Sequence, residues 1–165
     1  MNEQIIKILE NISKLLEIKG ESFFKFSAYS NAAEILRKGD YNIVELVITG
    51  KLSEIKGIGK ALTEKITDYV MNGNMLYYEL LTAEYPESLI ELLKIEGFGP
   101  KKVFQVFNEL NVKTVTELED VINSGALAKL KGFTSAGVNK IIDSIDAFKS
   151  NDSYKERKID FDQIQ

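Results

Sequence analysis

Three stretches of this 165-residue chain repeat one pattern, and that repeat constrains the fold more than any composition value does. Leu52 to Ile66 reads LSEIKGIGKALTEKI, Leu92 to Phe107 reads LLKIEGFGPKKVFQVF, and Leu127 to Ile142 reads LAKLKGFTSAGVNKII. Each is an apolar run, a short turn of the form Gly, apolar, Gly or Thr, and a second apolar-periodic run, which is helix, tight turn, helix. A turn this short needs a residue that tolerates positive φ, and glycine also leaves bare backbone that another molecule can approach. The second helix presents its first unsatisfied N–H groups at the same place, with the positive end of the helix dipole behind them. Together these make a small anion site. A single copy reads equally well as an ordinary interhelical turn, but Gly57, Gly97 and Gly132 recur at intervals of about 40 and about 35 residues, the spacing of a repeated structural unit. A repeated core requires only repeated apolar positions. A repeated exposed turn flanked by Lys points to a repeated ligand contact, and regularly spaced anions are those of a nucleic-acid backbone.

Composition removes several chemistries. The chain has no Cys and no His, so disulfide frameworks, thiolate metal sites, Ser-His and Cys-His nucleophiles and the commonest zinc ligand are all excluded. A hydrophobic fraction of 44% supplies a core. No apolar run approaches membrane-spanning length, and the first twenty residues alternate charged and apolar side chains, so the expected compartment is the cytoplasm. The net charge of −4 argues against a nucleic-acid partner. Local balance matters more, because screening confines surface charge to about 10 Å. From Val121 to Ile142 the chain carries Lys129, Lys131 and Lys140 with no acidic residue, and around the second turn Lys94, Lys101 and Lys102 face only Glu96.

Taken in order, residues 2–19 place Ile5, Ile8, Leu9, Ile12, Leu15 and Leu16 at helical spacing. A second helix is expected from about Ser27, after the aromatic run Phe23-Phe24-Lys25-Phe26. Ile43–Thr49 is rich in β-branched residues but lies between helical segments, so a short helix is expected there. Gly73 and Pro86 bracket a boundary region. Pro100 falls at the first position of a helix, where Pro is best tolerated, and Thr114 with Glu117 reads as a capping box. The expected fold is all-α: two small helical subdomains built on tandem helix-hairpin-helix units, over residues 1–80 and 86–150, with 151–165 a tail or the start of a further domain.

These hairpins and their surroundings resemble the N-terminal region of bacterial-type family X DNA polymerases, relatives of polymerase beta, and the resemblance covers most of the chain. It implies a lyase-like domain followed by a second DNA-binding subdomain. It also implies that the turns bind backbone phosphate through their amides, here around Gly57, Gly59 and Lys60 and around Gly97, Gly99, Lys101 and Lys102. A monovalent cation, Na or K, would be held by the turn carbonyls of Ser53, Ile55 and Ile58 and of Leu93, Ile95 and Phe98. In FFKFSAYSNAAEIL the resemblance assigns Lys25 and Tyr29 to the 5′-phosphate of gapped DNA, and in GIGKALTEKI it makes Lys65 a Schiff-base nucleophile that removes a 5′-deoxyribose phosphate. Two departures stand out. Ala61 occupies the position of a family phosphate-pocket Lys, and Phe24 that of a family His. In the third copy Thr134 replaces the second Gly. No segment resembles the palm that carries the polymerase metals, and Asp160 with Asp162 reads as solvated charge.

Three readings follow. In the first the chain binds DNA gaps or 5′-phosphorylated ends, independently of sequence and as a monomer, as part of a bacterial, nucleoid-associated repair polymerase. The second is a 5′-deoxyribose phosphate lyase acting through Lys65, favoured by position and weakened by Ala61. The third is a protein-interaction scaffold of helical hairpins, which the acidic total charge would suit.

Overall fold

The computed structural model describes residues 1–150. Every regular element among them is helical: α1 (Asn2–Lys19), α2 (Phe23–Lys38), α3 (Ile43–Ile48), α4 (Lys60–Asn72), α5 (Leu76–Glu84), α6 (Leu89–Leu92), α7 (Pro100–Leu110), α8 (Val115–Asn123) and α9 (Ser135–Lys149), with single 3₁₀ turns at Leu52–Glu54 and Leu127–Lys129. The chain is all-α, and Ile43–Ile48 is helical despite its β-branched content. Asn42 caps that helix through its side chain, accepting from the Glu45 amide at 3.1 Å, a local start signal that outweighs propensity.

The chain divides into two compact units, Met1–Glu87 and a second beginning at Ser88. The division falls after Glu87, at the far edge of the 73–86 region expected from sequence, because α5 belongs wholly to the first unit. Its Leu81 and the preceding Met75 are buried, and Tyr78 accepts from Asn11 of α1 at 3.0 Å. In that unit α1 is the central element. Ile5, Leu9, Ile12 and Leu16 are shielded from solvent, while Ala32, Ala33 and Leu36 of α2 supply small and apolar surface to the same core. Each large side chain so buried contributes about 1.5–3 kcal/mol. Glu3, Gln4, Lys7, Lys14 and Glu17 keep the other side of α1 in solvent, and its two buried polar residues are bonded: Asn11 donates to Tyr78, and Ser13 to the Phe26 carbonyl at 2.7 Å.

Helix α2 starts at Phe23, earlier than the expected Ser27. Ser22 is its N-cap and accepts from the Lys25 amide, so the aromatic run forms the first turn of the helix and not a connection.

The second unit packs α6 to α9 around Leu89, Leu92, Ile95, Val103, Val106, Leu118, Leu127, Ile141 and Ile145. Helix α7 stops at Asn111, whose left-handed backbone (φ 55°) lets the Val112 amide reach back to the Val106 carbonyl at 3.1 Å. Thr114 caps α8 and accepts from the Glu117 amide at 3.1 Å; the Glu117 carboxylate answers by accepting from Lys113, one residue before the cap. Residues 151–165, including Asp160 and Asp162, lie outside the described residues.

Candidate functional site

The three repeated turns share one backbone path. Gly57, Gly97 and Gly132 have φ values of 97°, 90° and 88°, so the first glycine of each copy is demanded by conformation. The next residue plugs the unit's core, Ile58, Phe98 and Phe133 all being buried, and its amide donates back to the carbonyl of Ile55, Ile95 or Leu130. The following residue is the N-cap of α4, α7 or α9.

At this N-cap the copies part. Gly59 (φ −82°, ψ −176°) and Gly99 (φ −87°, ψ 178°) are in ordinary extended backbone, and a Cβ added to either would meet nothing within 4 Å. Thr134 takes the same conformation in the third copy (φ −96°, ψ 163°), so nothing internal to the fold requires glycine there. Thr134 Oγ1 accepts from the Gly137 amide at 3.1 Å, while the amides of Thr134, Ser135 and Ala136 have no acceptor among the described residues. Gly59 and Gly99 have no side chain with which to cap. At the first turn the Leu62 amide, the counterpart of Gly137, is therefore open along with those of Gly59, Lys60 and Ala61. At the second turn the open donors are Gly99 and Lys101, since Pro100 has no N–H and Lys102 donates to the Gly99 carbonyl at 3.1 Å.

The lysines differ in the same way. Lys60 and Lys101 are exposed beside their turns. Lys102 is half-buried with its ammonium 4.9 Å from the centre of the Phe133 ring, and Phe133 leans on Phe98 at 5.8 Å, so Lys102 joins the second and third hairpins as well as flanking a turn. Among the expected cation ligands, the Ile55 and Ile95 carbonyls each already accept one hydrogen bond, from Ile58 and Phe98. Those of Ser53, Ile58, Leu93 and Phe98 accept none among the described residues. Neutral oxygens with free lone pairs fit a hard monovalent ion, and no group of three or more acidic, His or Cys side chains placed to hold a metal occurs among the described residues.

A second cluster lies in the first unit, where Lys65 of α4 meets Tyr29 of α2. The Lys65 ammonium is 6.0 Å from the Tyr29 ring centre and 4.6 Å from that of Tyr77, a residue of α5. The two rings stack nearly parallel, 6.0 Å apart at 10°. Burial, with Tyr77 alongside, pushes the Tyr29 phenol far above its ordinary pKa, so it stays a neutral hydroxyl. Lys25 lies one turn before Tyr29 on α2, exposed and paired with Glu21 at 3.4 Å. Ala61 is exposed one turn before Lys65 on α4. Phe24 is 86% exposed at the first turn of α2, beside Phe23 at 68%.

Sequence reasoning missed Tyr77. Its signal was the adjacent pair Tyr77-Tyr78, because neighbours about 100° apart on a helix address different partners; Tyr78 goes to Asn11 and Tyr77 to the Lys65 cluster.

A model described as a helix-hairpin-helix domain matches residues 1–75, and one described as a SAM-like helix-hairpin-helix tandem matches residues 89–147. The DNA polymerase/3′-5′ exonuclease PolX of Bacillus subtilis (strain 168) is 32% identical over 143 residues, which cover 87% of this chain. The chain is a helix-hairpin-helix region of the family X polymerase type. It spans 25% of the length of that relative. Each of the two matches falls within one compact unit, the first stopping before α5, and no helix among the described residues is long and apolar enough to cross a membrane.

Proposed function

We propose that the chain binds DNA through backbone phosphates, without reading bases, and that it prefers gaps or 5′-phosphorylated ends, as the DNA-holding part of a polymerase of the family X type. The observation that carries this reading is the glycine at the N-cap of α4 and α7. Those positions need no glycine for the fold, and a cap without a side chain leaves nothing over the open amides, those of Gly59 to Leu62 at the first turn and of Gly99 and Lys101 at the second. A phosphate seated there receives charge-assisted bonds from preplaced donors and the favourable end of the dipole. A monovalent cation on the Ser53, Ile55 and Ile58 or the Leu93, Ile95 and Phe98 carbonyls would add positive charge at each turn. Lys60 and Lys101, one beside each turn, predict a salt slope of about −2, since each phosphate neutralised by a lysine contributes about −0.9. Fluorescence anisotropy with a 5′-phosphorylated gapped duplex, an unphosphorylated one and an intact duplex tests it. Negligible and equal affinity for all three at low salt would sink it.

The approach of Lys65 to Tyr29 favours a second reading, removal of a 5′-deoxyribose phosphate by Schiff-base formation. Such chemistry needs a neutral amine, whereas contact with ring faces is an interaction of the ammonium. Borohydride trapping on 5′-incised abasic DNA separates the two readings, because a pure binder gives no covalent adduct.

A further inference from the structure

Three lysines of the first unit are held by a carboxylate. Lys25 is paired with Glu21 at 3.4 Å, Lys38 with Glu34 at 2.6 Å, and Lys19, which also lies 5.8 Å from the Tyr85 ring centre, with Glu84 at 3.6 Å, so their charge is partly spent on a carboxylate. Lys65 has no carboxylate within ion-pair distance among the described residues, yet its ammonium is placed over the rings of Tyr77 and Tyr29. A ring quadrupole attracts a cation without cancelling its charge. A lysine held in this way is localised while remaining open to an anion.

We propose that Tyr77 is a positioning residue: it fixes the Lys65 ammonium over its ring so that a 5′-terminal phosphate meets a charge already in place. The proposal rests on the DNA-end reading given above. The support for Tyr77 is itself built in. Helix α4 ends at Gly73 in left-handed backbone (φ 81°), the chain reverses, and Met75 is buried. Asp68 of α4 then accepts from the Leu76 amide at 2.8 Å and from Asn72 at 2.6 Å, which hold its carboxyl below the usual range. This bond ties the first turn of α5 to α4, so Tyr77 is set at a defined height over Lys65. Its other neighbour, Tyr29, stacks at 10° and keeps the ring from turning. A free Lys side chain carries about 2 kcal/mol of rotamer entropy, and restraining it before the ligand arrives removes part of that penalty from binding.

The test compares the parent with Tyr77→Phe and Tyr77→Leu. Phe keeps the ring face and loses only the hydroxyl, whereas Leu keeps apolar volume and loses the quadrupole. In the free protein, the Lys65 ε-methylene protons should be shifted upfield by ring current in the parent and in Tyr77→Phe, and should move toward their free-lysine position in Tyr77→Leu. The ratio of affinities for 5′-phosphorylated and unphosphorylated gapped DNA should be kept by Phe and should fall about two- to fivefold with Leu, the range of an exposed cation–π contact. An unshifted Lys65 resonance in the parent, or an unchanged ratio in Tyr77→Leu, overturns the positioning role. A parent with shifted Lys65 protons but equal affinity for the two DNA ends overturns the DNA-end reading, and the phosphate role of Tyr77 falls with it.

Discussion

The first and third hairpins have nearly superimposable backbone angles and differ at the cap. Both turn on a glycine with φ near 90° and both enter their helix through an extended N-cap. One leaves four amides without an acceptor among the described residues; the other leaves those of Thr134, Ser135 and Ala136 open and covers the fourth, Gly137, with a threonine hydroxyl. The second hairpin stands between them, open at its cap but deprived of a donor by Pro100. Conformation is therefore not what distinguishes the three turns; the distinction is the side chain at the cap, absent over the first two helix ends and bonded over the third. The third copy instead serves as a brace. Its helix offers Ser144 to the Glu96 amide at 2.7 Å, and Gln105 of α7 donates to the Lys131 carbonyl of its turn at 2.9 Å.

The comparison is broken most severely by giving the first turn the third turn's cap. Gly59→Thr should leave thermal stability within a few tenths of a kcal/mol, since Thr and Gly are comparable N-caps. It should weaken DNA binding by about 2 kcal/mol through lost charge-assisted bonds, read as the anisotropy midpoint. Undiminished affinity would mean that the open amides do not hold phosphate. The effect of Gly97→Val should be next in size. A β-branched residue forced to φ 90° distorts the second turn at a cost of about 1–3 kcal/mol, so binding should weaken while helix content by circular dichroism stays near the parent value. Ala61→Lys sharpens the contrast from the other side. It places a second amine one turn before Lys65, and should strengthen binding to the 5′-phosphorylated gap by about 1 kcal/mol and to the unphosphorylated gap by less. Equal gains on both would mark the added charge as nonspecific. The smallest change is expected from Thr134→Gly. It should lower thermal stability by only a few tenths of a kcal/mol, and by freeing the Gly137 amide it should strengthen DNA binding slightly, read as the anisotropy midpoint.

What could be read from the sequence was what is encoded locally. A positive-φ glycine, a proline at the first helical position and a Thr-x-x-Glu cap each declare themselves within four residues, and all appear where the pattern placed them. The start of α2 was misplaced because exposed Phe23 and Phe24 looked like a connection; the deciding signal was the single hydroxyl of Ser22 before them. The extent of the first unit and the role of Tyr77 depend on contacts such as Asn11 with Tyr78, 67 residues apart, which no periodicity within one helix can announce.

The handedness of the turns has one more consequence, and it concerns which replacements each could survive. At Gly97 the place of a Cβ is free, with Ile141 at an ordinary 3.5 Å, so the obstacle to a side chain is almost entirely one of chirality. Asparagine is the L-residue best able to accept that conformation, and this chain already uses it so at Asn111. At Gly57 the same step also collides with the δ-methyl of Ile35 from α2. A lineage drifting by single substitutions can therefore pass through Asn at the second turn, but at the first it must also move Ile35, on the helix that carries Lys25 and Tyr29.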